Sequence, residues 1–207
     1  MVHSMTGWRA WPRGAIVLAG LAGASLAHAS SDPLDASVPN QAIEARFNAA
    51  AQQTLVTGKA APDLCFSLSL PEEWRRTEGG LKAVRSDASL ALGLRSAEEL
   101  SALPQPDLAS RDAAALQQDY EDLLGRPAQS VSQSTDAGAT RWSATWVDAN
   151  LPMASHAMTV ETLIVPLSNA WVLELSLSGV ETREAYDALA ARVLARLRVQ
   201  GRASCQG

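Results

Sequence analysis

Two cysteines, three histidines and an aromatic content of 5% leave this 207-residue chain poorly supplied with reactive and ligand-forming side chains. Two cysteines are too few for a disulfide-framed miniprotein. Basic residues number 17 against 22 acidic ones, and a net charge of −5 argues against a nucleic-acid binder. There is no series of long apolar runs, so a multi-span membrane protein is excluded. The 47% apolar share is too high for a disordered chain, and the length suits one ordinary core.

What is present begins with an address. Arg9 and Arg13 precede the uncharged run Gly14 to Leu26, which ends in Ala27-His28-Ala29. A positive start, an apolar stretch of this length and a small-x-small ending read as a secretory signal peptide cleaved after Ala29. The run is short for a permanent anchor, which needs about 20 residues, although an uncleaved N-terminal anchor is the alternative. No cysteine follows the cleavage point and no adjacent arginine pair precedes the run, so the general secretory route and an unlipidated product are expected. The expected location is periplasmic or secreted, with no stable membrane anchor after cleavage.

Loss of residues 1–29 removes two arginines, leaving 15 basic groups against 22 acidic ones, a charge of −7. His3 and His28 leave too, so His156 is the one imidazole of the mature chain. An oxidising compartment makes a Cys65–Cys205 disulfide the default. Such a bridge closes a loop of about 140 residues, for which the chain-entropy model gives roughly 4–5 kcal/mol, less any native strain. A buried free Cys65 and an intermolecular bridge from Cys205 are the alternatives.

Residues 30–39 are short, polar and rich in Ser, Asp and Pro, and read as a flexible leader; residues 40–207 read as a single globular domain. A helix is expected from Asn40, with Ile43, Phe47, Ala50 and Leu55 on one face and Gly58 as its stop. Leu64, Phe66, Leu68 and Leu70 then alternate with Cys65, Ser67 and Ser69, a half-buried strand ended by Pro71. Gly79-Gly80 turns into a strand at Leu81–Arg85, and Leu90, Leu92 and Leu94 mark a third strand. Ser96–Ala109 reads mostly as loop.

Ser110 opens a second helix, with Ala113, Leu116, Tyr120 and Leu123 inward and Gly125-Arg126-Pro127 ending it. Four strands follow: a weak one at Ala128–Ser134, then Thr140–Asp148, Ser155–Val165 and Trp171–Ser178. A closing helix is expected over Glu181–Val199, its stripe formed by Tyr186, Leu189, Val193 and Leu197. Its acidic start and its Arg192, Arg196 and Arg198 ending complement the helix dipole. Runs of strands joined by short turns imply an α+β fold, an antiparallel sheet of about six or seven strands sandwiched by helices.

The stretch Phe66-Ser-Leu-Ser-Leu-Pro-Glu-Glu-Trp74 resembles the opening of PsbP-like domains, in which an apolar strand runs into a proline–acidic turn ending in tryptophan. The closing pattern is similar too: a strand from Trp171, a short turn, then Thr182-Arg-Glu-Ala-Tyr186 and an amphipathic helix. The order and spacing of residues 64–199 are compatible with that superfamily, which includes PsbP- and DcrB-type envelope proteins. The resemblance implies an antiparallel sheet between helices. It transfers no catalytic residue, because the superfamily hosts diverse and mostly non-enzymatic roles. The missing lipid-attachment cysteine and the extra N-terminal segment depart from it.

Chemistry is sparsely signalled. A serine hydrolase needs an imidazole, which only His156 supplies. It lies in an alternating strand with Met158, Val160 and Ile164 on its face, where a packed or rim histidine is the plainer reading, and no Gly-x-Ser-x-Gly elbow exists. One histidine and two oxidised cysteines do not suit a catalytic zinc. Glu98-Glu99 and the run Asp119, Glu121, Asp122 lack calcium-loop spacing and read as solvated faces. No metal or cofactor is expected.

Trp74-Arg75-Arg76, read as a turn, offers a ring and two guanidinium groups to an acidic partner or anionic headgroup. The plainer reading packs Trp74 over the sheet edge and pairs the arginines with Glu72, Glu73 or Glu78. Trp142 and Trp146 share one strand face, as core beneath a helix or as a ligand platform. The expectation is a non-catalytic exported protein that binds or supports an envelope protein. The alternatives are a small-ligand carrier with a pocket between sheet and helices, and an acidic-residue hydrolase.

Overall fold

Alternation with a period of two runs through most of the chain, and strands follow wherever it does. The computed structural model describes residues 43–136, 138–147 and 157–201. The expected signal peptide 1–29, the leader 30–39, His156 and Cys205 lie outside the described residues. In order the elements are β1 (Glu44–Asn48), β2 (Gln53–Ala61), β3 (Leu64–Pro71), β4 (Trp74–Thr77), β5 (Gly80–Ala83) and β6 (Ser89–Ser96). They continue with α1 (Leu108–Leu124), β7 (Ser130–Asp136), β8 (Ala139–Val147), β9 (Ala157–Pro166), β10 (Trp171–Ser178), α2 (Arg183–Arg196) and β11 (Arg198–Gly201). Every strand pair is antiparallel. The strands form a four-stranded sheet, β1-β2-β3-β11, and a seven-stranded sheet, β4-β5-β6-β10-β9-β8-β7. The fold is therefore α+β, with two sheets in place of the one expected. Among the described residues no helix is long and apolar enough to cross a membrane.

The seven-stranded sheet is apolar on both faces. Leu173, Leu175 and Leu177 of β10 join Leu90, Leu163 and Val165 with Phe66, Leu68 and Leu70 of β3 and Ala190 and Val193 of α2 in one core. Val172, Ile164, Trp142 and Trp146 project the other way and meet Ala109, Ala113 and Leu116 of α1 in a second. Tyr120 of α1 covers both indoles, at centroid distances of 6.1 and 5.6 Å.

Three expectations about elements are corrected. The helix from Asn40 is instead the β1–β2 hairpin. The Ala49-Ala50-Ala51 run suggests a helix, but it forms a turn in which the Ala51 N–H donates to Asn48 Oδ1. Beyond it, Thr54, Val56, Gly58 and Ala60 are buried at every second position while Leu55 faces outward. The available β3 edge outweighs the local helical stripe. Trp74–Thr77 is strand β4, not a turn, and pairs with β5. The closing helix stops at Arg196: Leu197 turns extended and Arg198–Gly201 pairs with β3. Arg198 still caps the helix, its guanidinium donating to the carbonyls of Ala195 and Leu197.

Helix α1 begins two residues ahead of Ser110, because Asp107 is its cap and accepts the Ser110 N–H at 2.9 Å. Gly125, left-handed at φ 68°, closes it. Leu123, expected inward, is 77% exposed.

Gly58 does not stop a helix. It lies on β2 opposite Phe66, and a Cβ there would run into the Phe66 ring. Gly58→Val is expected to cost about 2 kcal/mol through overpacking, measured by urea unfolding, and less in a Phe66→Leu background. Equal penalties in the two backgrounds would contradict this contact.

Candidate functional site

The alternation of β4 decides the fate of the Trp74-Arg75-Arg76 group. Trp74 turns inward, 3% exposed, and its Nε1 donates to the Pro71 carbonyl at 2.7 Å. Its backbone N–H donates to Thr54 Oγ1, which itself donates to the Glu72 carbonyl. These bonds hold Glu72 at φ 61°, a left-handed conformation uncommon for a non-glycine residue. Arg75 faces out and pairs with Glu73 at 2.9 Å, and Arg76 is also exposed. The Trp74 ring and the Arg75 guanidinium therefore lie on opposite sides of β4. Cys65 is paired in register with Gln200 of β11, its Sγ 3.7 Å from the Gln200 carbonyl oxygen.

Two charged clusters that sequence reading did not find lie on opposite faces of the seven-stranded sheet. Under α1, Arg95 of β6 contacts Glu174 of β10 at 2.7 Å, Asp119 of α1 at 2.5 Å and Asp112 of α1 at 3.5 Å. Gly93 stands opposite Glu174 and leaves it room; a Cβ there would come within 2.7 Å of Glu174 Oε2. Asp112 is wholly buried. Burial first, then the neighbouring Glu174 charge and hydrogen bond, push its pKa up to about 8 against the opposing pull of Arg95. Asp112 is thereby biased toward its protonated form, beside Glu174. Burial, followed by the charges of Glu174 and Asp119, raises the pKa of Tyr120. The arrangement stores a proton and clasps α1 to β6 and β10.

On the other face, Arg141 of β8 contacts Glu161 of β9 at 2.5 Å and Asp187 of α2 at 2.6 Å. Arg183 contacts the second oxygen of Glu161 at 2.6 Å and Asp187 at 3.3 Å, closing a ring of two cations and two anions. Tyr186 lies between the guanidinium groups, 5.3 Å from each, and burial followed by the Glu161 charge raises its pKa. The Arg141 hydrogen bond and the two arginine charges hold Asp187 below the usual carboxylate range.

Beside this ring, between α2 and the β7–β8 hairpin, is a hollow of about 260 Å3. Leu163, Ala190, Ala191 and Leu194 give it apolar walls, and Ser134 and Asp136 of β7 form its outer lip. Asp136 has no ion-pair partner among the described residues, so the hollow holds one uncompensated negative charge beside a neutral ring. All seven residues of β7 are exposed, and the strand is one edge of its sheet.

The spacing Asp112, Leu116, Asp119 on one helical face was the available signal for the first cluster. Nothing local signals the second, whose members come from β8, β9 and α2. Comparison with protein-family models, with curated proteins and with solved structures finds no match for this chain.

Asp112 gives a pH prediction. Its folded pKa lies above its unfolded one, so between about pH 4 and 8 the native state holds a proton that the unfolded state releases, and stability falls as pH rises through that window. Asp112→Asn retains a donor to Glu174 without titrating. Wild type is expected to lose on the order of 3 kcal/mol more than D112N between pH 5 and 9, measured by denaturant melts. Parallel pH profiles would refute the assignment.

Proposed function

We propose that the protein is an exported envelope protein with a PsbP-like fold, which acts by binding another polypeptide and carries out no catalysis. The observation that carries this reading is strand β7: seven residues, exposed throughout, at an edge of the large sheet that is unpaired among the described residues. Edge strands are ordinarily guarded by lysine, proline, bulges or brevity, and Ser-Val-Ser-Gln-Ser-Thr-Asp has none of these guards. An edge left in this state suits pairing with an added strand.

Export is supported by the signal-like segment and by the β3–β11 pairing, which brings the chain to Gln200 beside Cys65, five residues before Cys205. The PsbP-like sandwich is supported by the apolar contacts that α1 and α2 make on opposite faces of the seven-stranded sheet. The small-ligand carrier draws little support from the hollow beside α2, whose volume of about 260 Å3 falls short of the roughly 300–1,000 Å3 of typical ligand pockets. The acidic hydrolase draws no support from the Asp112–Glu174 pair, because Asp112 is sealed beneath α1.

A photo-crosslinking residue at Ser132 of β7, in the full chain in its native cells, should give a discrete adduct with an envelope polypeptide. The same residue at Lys59, an exposed position of the interior strand β2, should not. Equal adducts at both positions, or none at Ser132, would overturn the binding reading. For the exported product, Edman sequencing should begin at Ser30, and alkylation without reductant should label neither cysteine. A labelled thiol or an intact leader would refute export through an oxidising compartment.

A further inference from the structure

Ser134 and Asp136 share the face of β7 that turns toward α2, since they pair with Arg141 and Ala139 of β8. The lip of the hollow is therefore the pairing edge itself, and a strand added to β7 would carry every second side chain past the opening. Strand addition of this kind takes affinity from main-chain hydrogen bonds and selectivity from pockets for alternate side chains.

The hollow's chemistry identifies the side chain. It is too small for an ordinary ligand and suited to one long side chain. Leu163, Ala190, Ala191 and Leu194 match an aliphatic stem, and Asp136 at the lip matches a cationic head. Arg141 does not repel such a head, because Glu161 and Asp187 already balance it. A second copy of the chain is a poorer occupant: its own β7 has one acid and no basic residue, and the chain as a whole is acidic.

We propose that β7 accepts an extended partner segment as an eighth strand and seats one lysine or arginine side chain in the hollow, with its charge at Asp136. This rests on the binding reading above and names the partner's chemistry.

The probe is a seven-residue peptide of alternating threonine and valine with a central lysine, acetylated and amidated. Versions with norleucine or glutamate at that position accompany it, and all are titrated against the mature chain. The lysine peptide should bind about tenfold more tightly than the norleucine one, and the glutamate peptide more weakly still. Asp136→Asn should abolish the lysine preference without changing the melting temperature, since Asp136 is exposed. The bound lysine peptide should slow amide exchange in β7 and leave β1 unaffected.

Equal binding of the three peptides, no binding of any, protection of β1 instead of β7, or an unchanged preference in D136N would overturn the proposal. So would a dimer of the chain that pairs through β7. The Ser132 adduct separates the two levels. If it forms with a segment that lacks a basic residue, this inference fails and the binding reading stands. If no adduct forms, the binding reading fails as well.

Discussion

Strand β10 sets the terms for the rest of the molecule. It is hydrogen-bonded on both sides, to β6 and β9, and covered on both faces. Leu173, Leu175 and Val172 are fully buried, the leucines on one face and Val172 on the other. A strand in that position has no solvated face on which to place a charge. Glu174 is nevertheless there, mostly buried, and a buried carboxylate without partners costs several kcal/mol. The surrounding sequence is arranged to meet that cost: Gly93 makes room, Arg95 supplies the cation and Asp112 supplies a proton. Position and charge of α1 follow from one acid in the middle of a sheet.

Neutralisation within each layer also explains why the two clusters differ in role. The Arg141–Glu161–Arg183–Asp187 ring joins α2 to β8 and β9 and balances its own charge. A balanced ring at the wall of a hollow attracts neither sign strongly. Asp136, on the adjoining strand, is the lining acid that no described arginine or lysine balances. Under α1 three acids meet one arginine, and protonation of Asp112 removes one unit of the excess negative charge. Beside α2 it is left exposed at an edge.

How much of this was legible in the residues depends on where each pattern's partner lies. Strands β3, β6, β8, β9 and β10 alternate on their own, and α1 has both an inward stripe and its glycine stop, so each could be read from a local window. Strands β1, β2 and β11 could not. Residues 43–55 present a passable helical stripe, and Leu197–Val199 extend a genuine one. What overrides them is the two free edges of β3, one pairing with β2 and the other with a segment about 135 residues away. The Trp74 group differs for another reason: locally Trp74-Arg75-Arg76 continues the proline–acidic turn, whereas it opens strand β4. Once Trp74 is the first residue of a strand, Trp74 and Arg75 must point to opposite sides. Each ion cluster draws on three elements; the helical spacing of Asp112 and Asp119 hints at the first, but Asp119 and Asp187 look like ordinary surface acids until the sheet supplies their arginines.

The two ends of the seven-stranded sheet show where specificity can reside. At one end β4 is only four residues long and presents Arg75 and Arg76, so brevity and charge discourage a further strand. At the other end β7 is longer, is uncharged until its last residue and has serine or threonine at four of its seven positions. Serine and threonine solvate an edge without blocking it, whereas a lysine there would oppose an incoming basic strand by charge and an incoming apolar one by desolvation. The two edges therefore differ: β4 is short and cationic, whereas β7 is long, polar and, among the described residues, paired on one side only.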